Sequence, residues 1–102
     1  MPARVRKPAA AALEVERVQT GVKIEKRLLK VLKALAEYHD LSLGDLLEGI
    51  VLHAFEGKAP FGSESIRRIA ELKKIYGLDL NTAHAHKLIE ANPPKRRAQR
   101  SK

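Results

Sequence analysis

Two places in this sequence combine residue types and spacing that could do chemistry: the turn behind Ser42, and the pair His84-Ala85-His86. Ser42 stands three residues before Asp45 at the head of an apolar run, resembling a capping box, although Glu or Gln is the usual partner. Free N–H groups at such a helix start, here near Leu43 and Gly44, form an anion site that suits a phosphate. The same serine could equally cap the helix and do nothing more. The two histidines are a conceivable metal pair, but ligands two apart on a helix point about 200° apart around its axis. No Cys or tight Asp/Glu cluster joins them, so no metal site and no cofactor are expected. Enzymatic chemistry has no better footing. The sequence has no Gly-rich phosphate loop, no cysteine and no Ser-His-Asp set with a recommending spacing, and no enzyme is expected.

Charge is the stronger clue. Lys and Arg total 20 against 12 Asp and Glu, a net charge of +8. The excess is uneven: residues 1–19 carry +2, 20–57 carry −1, 58–92 carry +2 and 93–102 carry +5. A near-neutral centre with basic ends suits a folded unit whose arms seek a polyanion. Basic tails that only aid solubility are the plainer alternative.

Hydrophobic residues make up 44% of the chain, enough for a packed centre, while aromatics are only 4%. A Leu/Ile/Val/Ala core in 102 residues favours helix packing and oligomerisation to bury more area. No apolar run approaches the roughly 18 residues that span a bilayer, so no membrane partner is expected. The Ala9–Ala12 run is too short and weakly apolar for a signal peptide. With no cysteine, these features point to a reducing, cytosolic setting.

Four segments organise the chain. Residues 1–16 read as a disordered basic arm. From Arg17 to Ile24 the residues alternate, with Val18, Val22 and Ile24 on one face and Gln19 and Lys23 on the other, the pattern of a half-buried strand. The chain offers no second strand, so the partner strand is expected from another copy. Leu28, Val31, Leu32, Leu35 and Ala36 then mark a helix from about Lys26 to Tyr38, with Lys26, Arg27, Lys30, Lys33 and Glu37 on its other face. His39-Asp40-Leu41 makes the turn. Leu43, Leu46, Leu47, Ile50, Val51, Ala54 and Phe55 give a second helix, too apolar for the first to cover and so a dimer-core helix. Residues 58–92 form a helical extension: Gly57 closes the second helix, Ser63 caps a third from Glu64 to about Tyr76, Gly77 stops it, and a fourth helical segment runs from Thr82 to about Ala91. Residues 93–102 are a disordered basic tail.

Val22-Lys23-Ile24, then Leu29, Leu32, Leu35 and Ala36, then Leu41-Ser42, then Leu46-Leu47 and Ile50-Val51 stand in an order that resembles the ribbon-helix-helix DNA-binding proteins of the Arc and MetJ type. The resemblance covers Arg17 to Phe55. It implies a mostly α dimer in which one strand per subunit pairs across the twofold axis, the ribbon entering the major groove of double-stranded DNA. The outward residues would then be Gln19, Gly21 and Lys23, with Arg17 at the ribbon's end, as base contacts. Gln can bond an adenine edge bidentately, and Lys can donate to guanine acceptors or phosphate. Gly21 reads no base, and Thr20 departs from the inward pattern. Phosphate contacts would come from Ser42, Leu43 and Gly44 and from the arm residues Arg4, Arg6 and Lys7. The implied protein is a homodimeric transcriptional regulator, cytoplasmic and nucleoid-associated. Two other functions stay open: an antitoxin-like or adaptor protein whose C-terminal helices bind a partner protein, and a nucleoid-type binder with little sequence preference.

Overall fold

The structure, a computed structural model, describes residues 12–91. Its elements in chain order are α1 (Lys26–Tyr38), α2 (Leu43–Phe55), α3 (Ser63–Tyr76) and a single 3₁₀ turn at Thr82–His84.

Each helix begins and ends for a local reason. Glu25 heads α1, its Oε1 accepting from the Leu28 N–H at 2.9 Å. Ser42 heads α2, its Oγ accepting from the Asp45 N–H at 3.1 Å, as the sequence predicts. Before α3, Gly62 rather than Ser63 is the cap, and it makes no side-chain hydrogen bond. The three C-termini share one device, the paired 6→1 and 5→2 bonds of a Schellman closure around a left-handed residue. After α1 that residue is Asp40 (φ 58°), with Leu41 N–H donating to Ala36 O at 2.9 Å. After α2 it is Gly57 (φ 71°), and after α3 Gly77 (φ 68°), where Leu78 N–H reaches Lys73 O at 2.8 Å.

α1 is the central element, and α2 and α3 both pack on it. Contacts at the helix ends show that α1 and α3 run antiparallel. Arg27, at the start of α1, donates from Nη1 to Gly77 O at 2.9 Å, just past the end of α3. Tyr38, at the end of α1, donates to Glu64 Oε2 at 2.7 Å in the first turn of α3. Leu35, Ala36 and Leu46 form the core cluster, with Leu32, Ile50, Phe61, Ile69 and Leu72 packed against it. Val31 and Leu78 are also buried. This is a small core.

The ribbon-helix-helix fold is not what forms. Among the described residues there is no strand, and a ribbon cannot exist without one. The alternating segment from Arg17 to Ile24 carries no regular structure, and two of its three expected inward residues point to solvent, Val18 at 80% and Val22 at 73% exposure, while Ile24 is half-buried. A period-two pattern makes a segment able to pair, but pairing also needs a second edge at the right distance, and no described residue supplies one. Side-chain ion pairs hold the segment instead: Arg17 is bound to α2, and Lys23 lies 3.8 Å from Glu90.

The expected fourth helix shrinks to one turn. Asn81 Oδ1 accepts from the Ala83 N–H, and His84 Nδ1 accepts from the Asn81 N–H, each at 2.9 Å, which closes a capping box over three residues. Ala85 then leaves the helical region (ψ 136°) and His86 takes a positive φ of 66°, a turn closed by Lys87 N–H donating to His84 O at 3.0 Å.

The Glu25 cap carries a pH dependence. Partial burial acts to raise the carboxyl's pKa, but the Leu28 N–H and the Arg27 guanidinium outweigh it and hold the group below its ordinary value of 4.5. A carboxyl depressed in the folded state stabilises above its unfolded pKa, and that contribution is lost as pH falls through the folded value. Thermal melts should therefore show stability declining below pH 4.5. Glu25→Gln should remove part of that acid dependence; an unchanged acid profile in the variant would refute the assignment.

Candidate nucleic-acid interface

The outer face of α1 is built by the packing of its inner face. Val31, Leu35 and Ala36 point into the core, so residues on the opposite side of the helix face solvent. Lys26, Lys30 and Lys33, at i, i+4 and i+7, fall within about 60° of arc at 100° per residue and span about 10 Å along the axis. All three are exposed. Among the described residues none has a carboxylate within ion-pair distance. Lys30 Nζ stands 5.8 Å from the centroid of the Tyr76 ring, a long cation–π approach that ties the stripe to the end of α3. Because the two helices are antiparallel, Lys73 and Lys74 in the last turn of α3 lie beside the first turn of α1.

Arg27 stands apart from this stripe. Its guanidinium is spent on Glu25 (2.9 Å), on Asp79 (3.0 Å) and on the Gly77 carbonyl. Glu37, one turn beyond Lys33 on the same face, ends the run of positive charge. What this arrangement can do is electrostatic. Three ammonium groups on one helical face match a row of phosphates, and as compact point charges they carry no base code of their own.

The residues expected to read bases are not gathered into a reading surface. Arg17 forks onto α2, with Nε and Nη2 donating to Glu48 Oε2 and Oε1 at 2.8 and 2.7 Å and Nη2 to Asp45 Oδ1 at 2.9 Å. Its hydrogen bond to Glu48, with the charges of Glu48 and Asp45, holds the guanidinium pKa above its ordinary range, and Arg17 in turn draws the Glu48 carboxyl below its own. Gln19 and Gly21 are exposed on the irregular segment, and Lys23 faces Glu90. The base-contact roles of all four were expected of a ribbon, which does not form.

The expected phosphate site at Ser42, Leu43 and Gly44 keeps its cap but gains two acids. Asp45 lies in the first turn of α2 and Glu48 one turn further on, both bound to Arg17. The positive pole of the helix is thus already answered from within the chain. Arg4, Arg6 and Lys7 lie outside the described residues, as does the basic tail from Lys95 to Lys102. No group of three or more His, Cys, Asp or Glu that could hold a metal is gathered among the described residues. His84 instead spends Nδ1 on the Asn81 cap. His39 and His53 border an open groove beside Leu41, Ile50 and Phe61 and are bonded within it: His39 Nε2 lies 3.1 Å from Ser65 Oγ, and His53 Nδ1 2.7 Å from Gly49 O. No helix among the described residues is long and apolar enough to cross a membrane.

Comparison of the chain with protein-family models, curated proteins and solved structures gives no match. Function is therefore argued from these residues alone. The α1 lysines were visible in the sequence as the polar face of a helix, but their lack of acidic partners was not. That depends on where Glu25, Asp79 and Glu90 end up in space. The Arg17 fork joins residues 28 and 31 positions apart and has no local signal.

Proposed function

We propose that this chain is a double-stranded DNA-binding protein that engages the phosphate backbone through the outer face of α1. The observation that carries the reading is the exposed row Lys26-Lys30-Lys33, which has no carboxylate partner among the described residues, on a chain of net charge +8. A row of phosphates attracts such a face by releasing condensed counterions, and the basic ends of the sequence would add to the same term. Lysines that meet phosphates position a protein without reading sequence, which favours a nucleoid-type binder with little sequence preference over a repressor of one operator. The partner-protein reading draws less support. The exposed α3 residues Ile66 and Ile75 lie nine positions apart, on opposite sides of the helix, and make no common face.

The experiment is equilibrium binding to two labelled duplexes of unrelated sequence at low salt. Wild type should bind both with similar affinity. Lys26→Glu, Lys30→Glu and Lys33→Glu combined should lose about 100-fold or more on each duplex, with an unchanged helical spectrum, because three phosphate contacts are reversed in sign. A charge-reversed variant that binds like wild type would remove α1 from the interface.

A further inference from the structure

α2 is the most apolar helix of the fold, and most of it is left uncovered. Of its 13 residues only Leu46 is buried, while Val51 (43%), Leu52 (64%) and Phe55 (80%) remain open to solvent. A row of large apolar side chains on the outer face of a helix is a face that another surface covers. We propose that a second copy of this chain covers the outer face of α2, the two α2 helices packing antiparallel about a twofold axis.

Three observations favour a second copy over a different partner. The first is shape. Gly44, Leu47, Glu48, Val51 and Phe55 recur at three- and four-residue spacing along one face, the seam geometry by which a helix meets another helix. The seam is small at one end and large at the other. A Cβ at Gly44 would meet only Ser42 Oγ, at 3.9 Å, whereas Phe55 projects into solvent. An antiparallel crossing centred between Gly49 and Ile50 sets Phe55 over the partner's Gly44 at both ends, so the surface is complementary to itself. Isologous twofold contact needs that property.

The second observation is charge. Glu48, within the seam, and Asp45, at its edge, are both bound by Arg17 of the same chain. Arg17 occupies both carboxylates and cancels one of their two charges, so this face offers an oppositely charged partner little to recognise. It also halves the negative charge that two exposed acidic rows would otherwise bring to the axis.

The third is area. A stable interface takes about 800 Å² per partner. The α2 face, about 20 Å long and about 10 Å across, falls short of that by itself. Arg17 holds the extended segment against α2, and its neighbours Val15 and Val18 are exposed apolar residues that enlarge the surface. The arm therefore belongs to the interface, and Arg17 is the residue that positions it. This dimer does not depend on DNA binding by α1.

Sedimentation across the micromolar range tests the proposal. Wild type should be a reversible dimer, and Phe55→Glu should raise the dimer dissociation constant about 100-fold, as expected for an aromatic anchor at the seam. Arg17→Ala should weaken the dimer about 10-fold by baring Glu48 and Asp45, and Arg17→Ala with Glu48→Leu should recover part of that loss. Cross-linking does not depend on how well any charged variant folds, because the natural chain has no cysteine. Gly44→Cys and Phe55→Cys chains, mixed and oxidised, should form a covalent heterodimer in preference to either homodimer; within one helix the two positions are about 16 Å apart, too far to bridge. A wild type that stays monomeric overturns the proposal and leaves a different protein as the occupant of α2. So does a dimer that is indifferent to Phe55→Glu and gives no Gly44–Phe55 cross-link.

Discussion

Leu35→Ala should destabilise the folded chain by about 2–5 kcal/mol, the range for emptying a buried leucine site, while Val22→Ala should stay within about 0.5 kcal/mol of wild type. Leu35 is 1% exposed and lies at the centre of the α1–α2–α3 cluster, touched from both neighbouring helices. A domain of this size holds only about 4–12 kcal/mol in total, so the loss takes a large share of it. Val22 belongs to the extended segment and is 73% exposed, so truncating it removes few contacts. Urea unfolding followed by circular dichroism, at one fixed protein concentration, measures both. A ribbon fold would demand that Val22 also be costly, since its side chain would then lie under the helices. A large Val22 effect with a small Leu35 effect would contradict the packing described above.

What could be read in the sequence follows the range of the forces involved. The bounds of α1 from Lys26 to Tyr38 were legible because an i, i+4 apolar stripe and a following turn at His39-Asp40-Leu41 act within a few residues. Ser42 at the head of α2, and Gly57 and Gly77 at helix ends, are signals of the same local kind. The alternation from Arg17 to Ile24 was equally visible, but a strand is a relation between two segments, and a pattern in one of them cannot supply the other. The side-chain fork from Arg17 to Glu48 and Asp45 claims the segment's cation instead, and nothing near Arg17 in sequence announces it. The expected fourth helix failed for a nearer reason. Asn81 and His84 close a capping box over one turn, and Ala85 and His86 then turn the backbone out of the helix. In the candidate site, residue types were legible and their partners were not. Lys26, Lys30 and Lys33 stand apart from Arg27 only once Asp79 and the Gly77 carbonyl have folded back onto the start of α1.

The salt dependence of DNA binding should report how many of these lysines meet phosphates. Each neutralised phosphate on a B-form duplex contributes about −0.9 to the slope of log K against log salt concentration. Replacing Lys26, Lys30 and Lys33 by Ala should therefore make the slope shallower by about 2.7, if each engages one phosphate. Those three contacts alone imply about a 40-fold fall in affinity between 50 and 200 mM salt, a drop that the triple variant should no longer show. Neutral replacements matter here, because alanine removes the contact without adding repulsion, and exposed helix positions accept it readily. Lys58→Ala is the control. Lys58 is as exposed as the stripe lysines, but it sits beyond α2 and lies 3.6 Å from Glu56, so its loss should leave the slope unchanged. Equal slopes for wild type and the triple variant would transfer the phosphate contacts from α1 to the basic ends of the sequence. A slope change the same size for Lys58→Ala as for any stripe lysine would mean that net charge, not the face of α1, governs binding.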